Sequence, residues 1–364
     1  MGQKTKKVIL AETLKYVFAF LAVAVIGAIL IDFQGAVPGE AYSAMVQGIC
    51  GSTSALGNTL RWITPCIFAG ISATVAFRSG VMNLGIEGQL YMGAFAATLV
   101  GIYVDLPASV LPIVCLTVGG LTGMLYALIP ALIKLIFKID ELITTLMMNY
   151  IALWLTEYFT KIVKGVSANN NSKAMTTPLI NEDAELLTLI PRTNVSTGII
   201  IAIVLIVIVY VVYRFTKVGY EMKQVGENLN FAKVGGVHTT KMFLSIFLLS
   251  GLIAGLCGTV EILGVYGKFT PRFASNIGWD GVMIAMIAQN SPVGVGLVSV
   301  LWGALKSGAL HMERITSTNR LTVELIQALF VLFVTINWNK WFIKLKNTKI
   351  CKKVIGEKRR GGEC

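Results

Sequence analysis

The sequence predicts an all-α, polytopic membrane protein of about ten transmembrane helices, and three observations carry that prediction. Of its 364 residues, 55% are hydrophobic and only 14% are charged, whereas about a quarter of a soluble domain is charged. A soluble fold of this length would lack the polar surface to cover its core. The mean hydropathy is +0.73, and apolar runs of span length recur from end to end.

A bilayer core takes about 20 apolar residues per helix. That ruler places spans near 14–32, 57–77, 83–103, 108–133, 141–160, 198–214, 242–262, 278–290, 293–311 and 321–338. The first follows a basic start, MGQKTKKVIL. It is read as an uncleaved span because its apolar run is long and many spans follow; Lys6 stands where a myristoylation signal wants Ser or Thr. The fourth and seventh carry GxxxG at Gly119/Gly123 and Gly251/Gly255, a pattern of close helix contact. Asn149 in the fifth is read as packing glue between helices. The eighth is short and is followed by QNSPVG.

Charge orients the spans. Residues 1–15, Arg78, Lys134, Lys138, 214–241 and 340–360 hold 21 basic residues, and the loops on the other side hold 8. The positive-inside rule then puts both termini in the cytoplasm, which an even number of spans satisfies. The hydrophilic stretch 161–197 becomes an outer loop, 214–241 a cytoplasmic loop and 339–364 a basic cytoplasmic tail. The outer NNS and NVS triplets are of a kind that arises by chance in Asn- and Ser-rich loops. A net charge of +12 in this arrangement points to the membrane surface and not to nucleic acid.

Several chemistries are excluded or disfavoured. The six cysteines (50, 66, 115, 257, 351 and 364) form no CxxC and imply no disulfide framework. His238 and His311 lack metal-ligand spacing. No GxxxxGKS/T loop, GxSxG or HExxH occurs, so nothing here supplies a nucleophile with a base or hydrolyses ATP in the P-loop manner.

The hexapeptide NLGIEG at 83–88 recurs as NIGWDG at 276–281. Each copy opens the third span of a five-span half, approximately 14–160 and 198–338. A repeated unit of five spans reverses direction, the pattern of inverted-repeat transporters whose broken helices lie on the solute path. Glu87 and Asp280 face two readings: a carboxylate on a polar path, or one that sits at the interface or caps its own helix N-terminus. On the path reading, the candidate residues are Asn83, Glu87, Gln89, Asn149, Asn276, Asp280, Gln289 and Asn290.

Four segments in order carry a family resemblance: FRSGVMNLGIEGQLYMGA at 77–94, DELITTLMMNYIALWL at 140–155, GYEMKQVGENLNFAKVGGV at 219–237 and GWDGVMIAMIAQNSPVGV at 278–295. Together they resemble ABC-importer permeases of the nucleoside and simple-sugar group, and the chain looks like the longer nucleoside permease. The resemblance implies a single permease domain over 1–364, in a bacterial cytoplasmic (inner) membrane. It implies a second homologous permease, an ATPase with tandem nucleotide-binding domains that would hold ATP and Mg, and a substrate-binding lipoprotein of the basic-membrane-protein (BMP) type. No cofactor is expected on this chain. Phe231-Ala232-Lys233 and Ala288-Gln289-Asn290 depart from the family pattern.

By the same resemblance, 214–241 docks onto the ATPase through a coupling helix, with Glu221, Val225, Gly226, Glu227, Asn228, Leu229, Ala232 and Gly235 as its contact residues; the alternative is a helix that lies on its own permease or at the lipid interface. The spacing of Met222, Val225, Leu229 and Ala232 predicts one short amphipathic helix, stopped at Gly235 and Gly236. Nucleosides or related purine and pyrimidine compounds are the leading solutes; simple sugars and riboflavin-like heterocycles stay open. The competing class is an ion- or proton-coupled carrier that titrates Glu87 and Asp280. A channel or scaffold is the third.

Overall fold

The computed structural model describes residues 22–163, 176–316 and 320–335. The basic tail, Cys351, Cys364, the NNS triplet and the start of the first expected span lie outside them. Two compact units divide the chain: 1–38 with 317–364, and 39–316. The first holds α1 (Ala22–Phe33) and α13 (Arg320–Thr335), joined where the Gln34 side-chain amide donates to the Thr322 hydroxyl.

The second unit carries α2 (Pro38–Cys50), α3 (Thr53–Arg78), α4 (Ile86–Tyr103), α5 (Leu111–Phe137), α6 (Glu141–Ile162), α7 (Gly198–Phe215), α8 (Lys217–Glu227), α9 (Leu229–Val234), α10 (Thr239–Glu261), α11 (Ile277–Ile287) and α12 (Pro292–Ile315). Helix α10 runs on through a π-type turn, Ile262–Tyr266. A helix therefore lies at every segment expected to span. Among the described residues, five are long and apolar enough to cross a membrane by themselves: α3, α5, α7, α10 with its π turn, and α12. Helix α2 was not expected. Its 13 residues are too short to span by themselves, and Pro at its start and Glu40 in its first turn are ordinary helix-opening signals.

Helix α3 is the axis of the second unit. It starts at Ser52, whose hydroxyl accepts from the Ala55 amide at 3.1 Å. Nearly all of it is buried, against α7, α10, α11 and α12. Helices α4, α5 and α10 pack on one another through glycines that admit no side chain. A Cβ on Gly255 would lie 2.4 Å from the Gly119 carbonyl, one on Gly123 2.5 Å from the Gly251 carbonyl, and one on Gly93 2.5 Å from the Gly255 Cα. Small residues of this kind let helix backbones touch where lipid offers no hydrophobic drive for association.

Apolar side chains on the outer helices are exposed. On α7, Ile200, Ile203, Val204, Val207 and Val211 are exposed; on α6, Ile151 and Trp154 are. These surfaces suit lipid. The stretch from Thr177 to Leu186 lays its backbone along the segment after α10, with Thr177, Ile180 and Leu186 amides donating to Phe269, Gly267 and Leu263 carbonyls.

Replacing Gly255 by Ala forces Cβ into a backbone carbonyl, an overpacking cost of about 1–3 kcal/mol. Gly255→Ala is expected to lower the unfolding temperature of the purified chain in detergent. Gly39→Ala, whose Cβ meets nothing within 4 Å, is expected to leave it unchanged.

Candidate functional site

The two copies of the repeated hexapeptide meet in space. Each opens a helix: Ile86 begins α4 and Ile277 begins α11, the latter after Asn276 turns left-handed at φ +66°. The Glu87 carboxylate of the first copy accepts from the Gly278 amide of the second at 2.5 Å. A helix start leaves amide groups unsatisfied and carries partial positive charge. Glu87 therefore caps the opposing helix and not its own, which corrects the self-capping reading. The approach needs Gly278, since a Cβ there would lie 2.5 Å from the Glu87 nitrogen.

Asp280 behaves differently. It pairs with Lys306 of α12, and Lys306 also donates to the Ser275 carbonyl at 3.2 Å. The two acids thus hold unlike partners despite their common register.

Asn83, Gln89 and Asn149 are committed to the protein. Asn83 Nδ2 donates to Gln89 Oε1 at 3.0 Å and to Ser250 Oγ at 2.9 Å, and Asn83 Oδ1 accepts from the Gly85 amide at 2.9 Å. Ser250 and Ser72 exchange hydroxyl-to-carbonyl bonds at 3.0 and 2.8 Å. Asn149 accepts from the Gly88 amide and donates to the Leu84 carbonyl, both at 2.8 Å. This network fixes the start of α4 between α3, α6 and α10, in keeping with Asn149 as packing glue. Gln289 and Asn290, at φ +51° and +55°, make the turn between α11 and α12.

A cavity of about 630 Å³ opens elsewhere, among α2, α3, α12 and the π turn. Gln47, Asn58, Arg61, Trp62, Tyr266 and His311 line it, and none of the eight candidate path residues does. Arg61 is only 7% exposed. Its Nη2 lies 2.9 Å from Glu261 Oε2 and donates to the Tyr266 hydroxyl at 3.0 Å, while its Nε has no partner among the described residues. The guanidinium stacks 3.8 Å from the Trp62 ring centre, and the Lys306 ammonium lies 4.8 Å from the same ring.

Charge is thus strung through the core as Glu261, Arg61, Trp62, Lys306 and Asp280, with Glu87 at the adjoining helix start. The cavity offers amides, a phenol, an imidazole and a guanidinium to a small polar solute. Arg61, Glu261 and Lys306 were not among the residues expected to matter. Their signal was present: each is a charge inside an apolar run, which by default marks function or pairing.

Residues 55–335 match the family described as the branched-chain amino acid transport system permease component. The chain belongs to that family. This permease is 35% identical over 329 residues to the guanosine ABC transporter permease protein NupP of Bacillus subtilis, covering 88% of this chain and 92% of that one. It is 31% identical over 332 residues to the glucose ABC transporter permease protein TsgB13 of Haloferax volcanii, covering 87% and 86%. With the nucleoside ABC transporter permease protein NupB of Lactococcus lactis it shares 28% over 347 residues, 93% of each. No solved structure matches. The relatives are transport subunits of integral membrane ABC systems, and the permease is read as one rather than as an enzyme.

The permease's 214–241 segment departs from the single helix expected. It breaks at Asn228, which ends α8 and caps α9 by accepting from the Asn230 and Phe231 amides at 3.0 Å each. Glu227 consequently sits at the end of α8. Met222, Val225 and Ala232 are buried, whereas Leu229 is exposed and leaves the expected stripe. The elements they meet are the permease's own α3, α7 and α10. Glu221 pairs with Lys217 and Glu227 with Lys223, both at 3.6 Å. Gly235 ends α9. Gly226 lies so close to the end of α3 that a Cβ would sit 2.3 Å from the Arg78 carbonyl.

Removing one partner of a buried ion pair leaves the other charge uncompensated, at a cost of about 3–5 kcal/mol. Glu261→Gln is expected to lower the unfolding temperature and folded yield of the purified permease sharply. The double variant Arg61→Met with Glu261→Gln is expected to recover most of the loss, and thermal melts of the three proteins in one detergent check both.

Proposed function

We propose that this chain is the membrane subunit of an ATP-driven importer for nucleosides or related purine and pyrimidine compounds, in a bacterial cytoplasmic membrane. The observation that carries transport is the contact of Glu87 with Gly278, where two helix starts from the two halves abut inside the bundle. Helices that begin in the bundle interior are tolerated where polar backbone lines a cavity or meets protein. In this reading the chain crosses ten times with both termini inside, and its halves are inverted repeats. Solute passes from the Arg61 cavity beside the two hexapeptides. The names of NupP and NupB support a nucleoside solute.

A second homologous permease completes the pathway, a BMP-type lipoprotein delivers solute outside, and an ATPase with tandem nucleotide-binding domains holds ATP and Mg. The exposed Leu229, Phe231 and Val234 of α9 are the face that docks, since Met222, Val225 and Ala232 are occupied by the permease itself. TsgB13 favours a second reading, a simple sugar. Arg61, Asn58 and Gln47 would serve the hydroxyls of a ribose and a hexose alike.

Cells carrying the gene are expected to accumulate labelled guanosine, and cells lacking it to lose that uptake; glucose uptake lost in its place would move the assignment to sugars. Accumulation against a gradient by this chain alone in proteoliposomes would rule out the ATP-driven reading and leave a coupled carrier.

Docking has its own check. In a background without Cys50, Cys351 and Cys364, a cysteine introduced at Asn228 is expected to cross-link to the ATPase, with a yield that changes when nucleotide binds. No cross-link at any position from Lys223 to Val234 in an active complex would remove the docking assignment.

A further inference from the structure

A second cavity, of about 430 Å³, lies at the opposite end of α3 from Ser52, between the end of α7, α8 and the start of α12. Three cations, Arg78, Arg214 and Lys223, and three phenols, Tyr210, Tyr213 and Tyr220, dominate its lining, and among the described residues no carboxylate lines it. Lys223 is 3.6 Å from Glu227. Among the described residues, neither Arg78 nor Arg214 forms an ion pair with a carboxylate. Arg78 is half-buried; it donates to the Asn290 carbonyl, at 3.3 Å, and lies 4.7 Å from the Tyr213 ring centre. A half-buried guanidinium without a counter-ion, beside a second arginine in a cavity free of carboxylates, attracts an anion.

We propose that this cavity binds a phosphate-bearing anion, and that its source is the headgroup of an anionic phospholipid. Guanidinium groups form paired hydrogen bonds with phosphate oxygens. The Tyr220 hydroxyl accepts from Gln224 at 2.6 Å, which leaves its own proton to donate.

The lipid source follows from what adjoins the cavity. Arg214 continues the exposed stripe Ile200, Ile203, Val204, Val207 and Val211 of α7 at three- and four-residue steps. A phosphate held at Arg214 would lay its acyl chain along that stripe. Tyrosines at a helix end suit the headgroup level, and basic pockets between helices at the membrane surface take anionic headgroups. The site stands on this geometry whatever solute the permease carries. Because Tyr220 and Lys223 belong to α8, an occupied site ties the lipid to the segment proposed to meet the ATPase.

The test is native mass spectrometry of the full-length permease in micelles doped with phosphatidylglycerol or with phosphatidylcholine. The parent is expected to retain one more phosphatidylglycerol than the Arg78→Gln, Arg214→Gln double variant, with affinity about tenfold lower in the variant. The Arg78→Lys, Arg214→Lys variant keeps both charges and is expected to keep most of the binding. Should the Gln variant fail to fold, a salt titration of the parent decides: phosphatidylglycerol retention is expected to fall severalfold as salt rises, with phosphatidylcholine unchanged. Equal retention by parent and Gln variant, or no salt dependence, overturns the site. Displacement by millimolar inorganic phosphate keeps the phosphate site and overturns the lipid as its source. Loss of the adduct on assembly with the ATPase overturns the lipid reading in favour of a protein contact.

Discussion

The second unit of this permease is organised by the cost of holding charge and free amides away from water. An unpaired charge or polar group in an apolar interior costs several kcal/mol. Each deep charge therefore recruits a specific partner from another helix: Arg61 takes Glu261 across α3 and α10, Lys306 takes Asp280 across α12 and α11, and Glu87 takes the amide that begins α11. These pairings join elements distant in sequence and fix their mutual register, where greasy side chains alone would permit sliding. The glycine contacts of α4, α5 and α10 perform the complementary task. They bring α4 and α10 together, where Asn83, just ahead of α4, meets Ser250 of α10, while Asn149 of α6 meets the Gly88 amide.

Much of this was legible in the sequence, for identifiable reasons. Span positions follow from runs of apolar residues, a signal independent of neighbours, and helices lie at each. The GxxxG pairs announced backbone contact because glycine in lipid has few other uses. The repeated hexapeptide marked two helix starts, since Asn and Gly in common register are local properties. What it could not disclose was that the copies touch. Glu87 reaches across 191 residues of chain to Gly278, and a distance in sequence carries no information about which helix start a carboxylate will meet.

Two misreadings share a physical origin. The periodicity from Met222 to Ala232 predicts one uninterrupted helix, but Asn228 satisfies two amides with its side chain and restarts the backbone there. Capping residues compete with helix continuation, and periodicity by itself does not weigh that competition. Arg61, Glu261 and Lys306 carry no pairing signal in the sequence because each stands alone in its own span. Only packing reveals that two of them flank Trp62 and that a cavity opens beside Arg61.

The closeness of Gly226 to the end of α3 has a mechanical meaning. A Cβ added to Gly80, itself left-handed at φ +73°, would lie 3.0 Å from the Gly226 Cα, so main chain rests on main chain with no side chain between. Ordinary helix contacts absorb small displacements through rotamer changes, and this one has no rotamers to spend. Packed interiors transmit strain because they compress little. A push on α8 arrives undamped at the turn Ser79–Val81, two residues ahead of Asn83, and the joint works as a hard stop rather than a spring.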